Sequence, residues 1–454
     1  MSEKKKISRR DFLKQAGIAS AGIMFTSIGM NSKSFARIIG ANDRVNVGVV
    51  GFSARFRSSL LPAFLANKEG LNFDIIGCSD LWKLRREEAK EKLETDLGHS
   101  IRLYRNNDEL YADPDIDAVI ISTADFQHAL HTVEAAEAGK DMYVEKPFAE
   151  TMEDARRGRA AVEKAGVIFQ MGSQRRSGAN YHAAADFVRS GKFGDIVMCE
   201  MSWNVNQPGR WRLPDLVPRC KEEDTDWTRF LMNRPYEPFD PRKYCEYRLF
   251  WPYSSGIPGQ WMSHQIDTVH WFTGLHHPRS VTANSGIYLW NDGRTNADTI
   301  TAVMDYGPSD DLSKGFQVQY TSRFTNSAGG TKELYFSNGG ELNLLTNKVT
   351  SNGGLTERNG AAMGMGANLL EEFELKGETV ETAADTGGDN LTNAHMRNWM
   401  ECVRSRKQTN APVEAAYDHS TACIMSNAAI RTKEYVTFDE ANQEVLAGGK
   451  VFKY

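Results

Sequence analysis

The sequence predicts an α/β domain with a parallel sheet, followed by an α+β domain whose sheet is mostly antiparallel. Three observations lead there. Short apolar strands alternate with helices over the first third of the chain, which is the signature of a parallel sheet covered on both faces. Period-two patterning takes over from Gly194 onward. With 454 residues the chain is too long for one ordinary core.

The opening residues stand apart from this fold. Lys4, Lys5 and Lys6 precede Ser8-Arg9-Arg10-Asp11-Phe12-Leu13-Lys14, a modestly apolar stretch runs from Ala16 to Met30, and Ser34-Phe35-Ala36 has the small-x-small form of a cleavage site. Residues 1–36 therefore resemble a twin-arginine signal. That resemblance implies export in the folded state to the periplasm, with the twin-arginine machinery as a partner. Residues 37–165 are expected to form the first domain, 166–430 the second, and 431–454 a C-terminal segment.

Within the first domain, Arg44–Gly51, Phe73–Asp80, Ala118–Thr123 and Asp141–Glu145 read as strands. Helices are expected over Ser58–Ala66, Arg85–Leu97 and His128–Ala138. Ligands of such sheets bind beyond the carboxyl ends of the strands. The turn after the first strand keeps only Gly51 of a G-x-G-x-x-G pattern. Ser53 holds the second glycine's place and Phe56 the third's. Ser is small enough to let backbone approach a diphosphate, and Ser53, Ala54 and Arg55 are the loop's candidates for holding one, Arg55 by direct contact with phosphate oxygens. Asp80, at the tip of the second strand, suits ribose hydroxyls and opposes a 2′-phosphate, which favours NAD. Arg85 and Arg86 nearby leave NADP open.

Later stretches alternate in hydropathy: Ile196–Trp203, Ser280–Tyr288, Ala297–Tyr306, Gly315–Phe324 and Lys332–Phe336. Helix Asn393–Ser405 is amphipathic through Met396, Trp399, Met400 and Val403. Together with Ala415–Glu434 it is expected to return to the first domain. The insert Trp203–Trp251 carries Trp203, Trp211, Trp227 and Trp251. It reads as irregular structure draped over the cleft, suited either to stacking on a sugar or to an oligomer contact.

Composition excludes little but is useful. A formal net charge of −5 without a basic stripe in the fold gives no reason for a nucleic-acid partner. The six cysteines form no CxxC pair and no Cys/His cluster, so no metal is expected and the thiols are read as idle.

Tyr143-Val144-Glu145-Lys146-Pro147 resembles the EKP element of the Gfo/Idh/MocA family. Ser122-Thr123-Ala124-Asp125-Phe126-Gln127-His128 is similar to that family's loop after the fourth strand. Gln170-Met171-Gly172-Ser173-Gln174-Arg175-Arg176 is similar to the loop after the sixth, and Trp261 to Asp267 to its D-x-x-x-H-x-x-D helix. The resemblance runs from residue 44 to about 430. It implies a Rossmann domain, then a sheet domain whose face lines the substrate site and often an oligomer interface, so a dimer or tetramer is expected. It also implies a dinucleotide bound by Gly51, Ser53, Ala54, Arg55, Asp80, Ser122, Thr123, His128, Glu145 and Lys146. Lys146 is placed near the nicotinamide and the substrate oxygen. His264 and Asp267 join Lys146 as catalytic candidates, His264 as the base and Asp267 as its orienting group. Gln174, Arg175, Tyr181, Tyr253, Gln260 and His264 are the candidates for holding substrate. Gln260 stands where the family's helix carries its first aspartate, and an amide cannot take a proton.

These readings point to an exported NAD(P)-dependent oxidoreductase acting on a secondary alcohol, such as a C3 hydroxyl, of a sugar or glycoside. Free dinucleotide is scarce outside the cytoplasm, so the cofactor is expected to be tightly bound. An NAD-dependent glycoside hydrolase working by transient oxidation and elimination is the alternative. That family carries a Tyr-Pro-Thr-His-Gly-type motif, whereas this chain has Trp261-Met262-Ser263-His264-Gln265. A non-catalytic sugar-binding protein is a third reading, motivated by the altered glycine turn and Gln260.

Overall fold

The computed structural model describes residues 43–376 and 390–453; the expected signal at 1–36 lies outside them. The first sheet has six parallel strands: β1 (Val45–Val50), β2 (Phe73–Ser79), β3 (Arg102–Tyr104), β4 (Ala118–Ile121), β5 (Asp141–Val144) and β6 (Phe169–Met171). Their order is β3-β2-β1-β4-β5-β6. The chain thus builds outward from β1 in both directions, and the crevice for a ligand opens where β1 and β4 diverge. β1, β4 and β5 are nearly continuous apolar runs because helices cover both faces. The sheet takes in β6, beyond the boundary expected at residue 165.

The longer helices are α1 (Leu61–Leu71), α2 (Lys83–Leu97), α3 (Asn107–Ala112), α4 (His128–Glu137), α5 (Met152–Ala165), α6 (Ala179–Arg189), α7 (Ser263–Thr273), α8 (Asn390–Ser405) and α9 (Val413–Thr432). The helix after β1 begins before the expected Ser58. Helical turns start at Ala54, pass through a π-helical turn at Phe56–Leu60, and continue as α1. The apolar face of α8 returns to the first sheet as expected. Trp399 lies 6.0 Å, ring to ring, from both Phe73 and Tyr143, and Met396, Met400 and Val403 join the same core.

The second sheet has eleven strands: β7 (Ile196–Asn204), β8 (Ser280–Gly286), β9 (Thr299–Tyr306), β10 (Phe316–Arg323), β11 (Thr331–Ser337), β12 (Gly340–Asn343), β13 (Lys348–Thr350), β14 (Phe373–Glu374), β15 (Val436–Asp439), β16 (Glu444–Ala447) and β17 (Lys450–Val451). Its order is β14-β13-β12-β11-β7-β10-β9-β8-β15-β16-β17. The pairs are antiparallel except β7 with β10. β9 and β10 alternate buried and accessible residues, one face against the core, as period-two patterning requires. The C-terminal segment is part of this sheet rather than an appendage, since β15 pairs with β8.

The insert 203–251 is built of short helical turns and lies over the carboxyl ends of the first sheet. Thr225 bridges to Trp82, the Asp226 N–H donates to the Leu81 carbonyl at 3.1 Å, and the Phe126 N–H donates to the Tyr253 carbonyl at 3.3 Å. Among the described residues no helix is long and apolar enough to cross a membrane, and no cluster of His, Cys, Asp or Glu has the form of a metal site.

Candidate active site

The crevice at the strand tips is shaped by Gly51. Its φ is +86°, and a Cβ there would sit 2.9 Å from Thr123 Cγ2 and 3.0 Å from the Ser122 carbonyl. Ser53 Oγ donates to Ser122 Oγ at 3.1 Å and accepts from the Phe56 N–H at 3.2 Å, which closes the turn without its second glycine. Phe56 does not enter the crevice. Its ring is fully buried beneath the helix, 5.8 Å from the Phe52 ring, and the wider π-helical turn houses it where close helix packing would want a glycine. Asp80 sits at the tip of β2 and accepts from the Phe52 and Trp82 N–H groups, each at 2.9 Å. A carboxylate has about four acceptor sites, so ribose hydroxyls still have room. Arg85 pairs with Glu88, and Arg86 donates to the Asp80 carbonyl. Thr123 Oγ1 is buried at the tip of β4 without a hydrogen-bond partner among the described residues. A small turn, an acid at β2 and an orphaned hydroxyl at β4 fit a dinucleotide. Ala54 is exposed beside this turn. Gly51→Ala is expected to weaken NAD binding at least about tenfold and to destabilise the fold by about 1–3 kcal/mol, measurable by fluorescence titration and thermal unfolding.

Lys146 follows β5 and is half-buried. Its Nζ donates to the Gln260 carbonyl at 2.6 Å and to Gln260 Oε1 at 3.3 Å. Burial pushes the amine down to about 7; Glu145 and Asp125 pull the other way, while Arg248 and Arg55 add to the lowering. Glu145 is buried and anchors the surroundings. Arg55 Nε reaches its Oε1 at 3.0 Å and Gln174 Nε2 at 3.2 Å. Burial alone would raise the Glu145 carboxyl, but Arg55 and Lys146 outweigh it and hold it low. Arg55 is thereby shared between the first loop and the lysine's neighbour. Gln174 also donates to the Tyr143 hydroxyl at 3.0 Å.

His264, in the first turn of α7, faces the same space. Burial, then the charges of Lys146, Arg175 and Arg55, hold its imidazole well below its usual value, so it is neutral at working pH. Among the described residues its ring nitrogens take no hydrogen bond. The Trp203 ring lies 6.1 Å from it and stacks on Trp261 at 5.6 Å, with Trp211 at 5.8 Å from Trp261. Of the four insert tryptophans, Trp203 and Trp211 form this wall. Trp227 stacks on Phe230 inside the insert's own core, and Trp251 lies under Arg431.

Several expected site residues have partners within the protein. Asp267 shares α7 with His264 but turns away to Arg176, whose Nε donates to both carboxylate oxygens at 3.0 and 2.8 Å. Burial alone would raise this carboxyl, but Arg176 and His419 outweigh it and hold it far below the usual range. It is a buried ion pair, not the orienting partner of His264. The Tyr181 hydroxyl donates to Glu333 at 3.3 Å in the interior, and Tyr253 is buried with its hydroxyl on Glu237. His128 is buried too; its Nδ1–H donates to the Pro147 carbonyl at 2.7 Å and so supports the loop that carries Lys146, while its Nε2 has no hydrogen-bond partner among the described residues. Arg175 pairs with Glu333 at 3.3 Å, and its charge helps to hold the His264 imidazole low.

Sequence reasoning passed over Asp125 and Arg248. Asp125 Oδ2 accepts from Gln260 Nε2 and from Ser254 Oγ, each at 2.6 Å, and Arg248 Nε lies 3.7 Å from Oδ1. Asp125 was inside a recognisable loop, yet spacing alone could not say that Gln260, 135 residues on, would meet it.

Residues 45–173 match the family described as GFO_IDH_MocA, oxidoreductase family, NAD-binding Rossmann fold. The 1,5-anhydro-D-fructose reductase of Ensifer adhaerens is 34% identical over 135 residues, 28% of this chain and 40% of that protein. A glycosyl hydrolase family 109 protein of Shewanella baltica is 28% identical over 238 residues, 49% of this chain and 50% of that one. The chain thus spans half or less of the length of these curated relatives. The solved structure of a levoglucosan dehydrogenase with NADH and levoglucosan superposes with a TM-score of 0.61 at 14% identity, covering 87% of this chain and 99% of that one, which is a likeness of fold. With its parallel six-stranded sheet, altered glycine turn and EKP lysine, the chain carries over residues 45–173 a domain that matches the Gfo/Idh/MocA oxidoreductases with their NAD-binding Rossmann fold.

Proposed function

We propose that this protein interconverts a secondary alcohol and a ketone on a sugar or sugar derivative, using NAD held at the tips of β1, β2 and β4. The observation that carries the reading is Lys146, an amine pushed down to about 7 that shares its space with a neutral, uncommitted His264. Bound NAD supplies the hydride acceptor. Lys146 as free amine takes the hydroxyl proton while the C–H hydride leaves, and the resulting ammonium stabilises the new carbonyl oxygen. His264 accepts a hydrogen bond from, or donates one to, a neighbouring hydroxyl and so orients the ring. Trp211, half-buried in the tryptophan wall, offers an apolar face nearby.

The direction of the pH dependence follows. Oxidation needs the neutral amine, so kcat/KM for the alcohol is expected to rise with pH through about 7 and level off above it, while ketone reduction falls over the same range. The signal-like residues 1–36 support export, and a tightly held cofactor suits that destination. Mass spectrometry of the purified protein is expected to find NAD(H), and a panel of sugars and glycosides to contain one that reduces it. A protein purified without cofactor that binds NAD no better than a Gly51→Ala variant would contradict the reading. Resemblance to the glycosyl hydrolase keeps one second reading, net glycoside hydrolysis. Release of phenol from aryl glycosides, without net NAD reduction, is its distinguishing result.

A further inference from the structure

We propose that Asp125 is a positioning residue of this site: its carboxylate, brought from the loop after β4, orients the Gln260 amide and with it the amine of Lys146, replacing from another element the acid that α7's approach lacks at position 260. The inference rests on the reading of Lys146 as the proton carrier.

Asp125 is fully buried, and its Oδ2 takes both the Gln260 amide N–H and the Ser254 hydroxyl at 2.6 Å. An amide with its NH2 committed to a carboxylate must turn its oxygen the other way. Gln260 Oε1 accordingly faces Lys146 Nζ at 3.3 Å, and the Gln260 carbonyl takes a second N–H at 2.6 Å. An ammonium has three donors, so one remains for the cleft. Asp125 also acts through charge. The groups facing Lys146 are Glu145 and Asp125, which favour its ammonium, and Arg248, Arg55 and His264. Facing Asp125 in turn are Arg248, the Tyr247 hydroxyl, His128 and Glu150. Glu150 is itself pushed up to about 8 by burial and by Asp125, so at neutral pH it is largely uncharged and does not replace Asp125. Removing the charge at 125 therefore removes one of two carboxylates that hold a proton on Lys146.

A residue that only stapled the loop would leave the lysine's titration unmoved. Competitive acetylation with acetic anhydride across pH, read by peptide mass spectrometry on the full chain, follows Lys146 without any turnover. Asp125→Asn keeps an acceptor oxygen but loses the charge, and the Lys146 midpoint is expected to fall by about half a unit or more. Gln260→Asp adds a carboxylate and is expected to raise it. Asp125→Asn with Gln260→Asp moves the charge from one element to the other and is expected to restore a midpoint close to the parent's. An unmoved midpoint in Asp125→Asn, or a double variant that keeps the lowered one, overturns the proposal. If the midpoints move as stated but no sugar is turned over, the functional reading fails while the positioning role stands.

Discussion

Replacing Lys146 by Met is expected to lower turnover by about 10²- to 10⁴-fold, the range for losing a positioned acid–base group, while NAD still binds. Met fills much the same space but can neither take a proton nor donate to the Gln260 carbonyl, which Lys146 reaches at 2.6 Å. The cofactor cradle at Gly51, Asp80 and Thr123 is built without the amine, so the dissociation constant for NAD should change little. Lys146→Arg separates the two tasks of the amine. A guanidinium keeps the positive charge that polarises a carbonyl oxygen but is never a base near neutrality. Alcohol oxidation should therefore be lost in both variants, and the rise with pH should vanish in Arg. Steady-state rates with titration of NAD check both halves.

The second large effect is on stability. Asp267→Asn is expected to cost about 3–5 kcal/mol, because it leaves the buried Arg176 guanidinium without the carboxylate that accepts two bonds from its Nε. The pair's pH dependence has a definite sign. The folded-state carboxyl is depressed below its unfolded value. Its contribution is therefore fully present above the unfolded value near 4 and is lost as pH falls through the depressed one. Thermal unfolding of the parent and Asp267→Asn should differ widely at neutral pH and converge in acid. What turnover remains in the folded variant should keep the parent's pH profile, since Asp267 does not touch His264. A profile that lost its rise near neutrality would return Asp267 to the chemistry.

Much of the fold was legible because its signals are local. Buried strands such as Val45–Val50 are continuous apolar runs, β9 and β10 alternate, and the stripe of Met396, Trp399, Met400 and Val403 declares one face of α8. The helix after β1 was misplaced by several residues because Phe56 is housed by a π-helical turn, which no apolar periodicity announces. The domain limits were misjudged for a different reason. β6 and β15 are short, and what assigns each to a sheet is its pairing with β5 and β8.

The site divides in the same way. Lys146 and His264 meet in one space, and each sits at a place that motif spacing marks. Asp267, Tyr181 and Tyr253 stand at positions in helix or loop that allow them to face the site. Their side chains are claimed instead by Arg176, Glu333 and Glu237. A buried donor or acceptor must find a partner, and which one it finds is decided by elements far apart in the chain. The same reasoning explains why Asp125 was overlooked: its importance lies in Gln260 and Ser254, which the fold brings to it.

The most direct test mixes NAD-loaded protein with a sugar that it oxidises and follows the reduced nicotinamide through a single turnover at a series of pH values. The account predicts a rate that climbs through a midpoint near 7 in the parent and is slow and flat in Lys146→Arg. A parent rate indifferent to pH around neutrality, or equal rates in the two proteins, would contradict it.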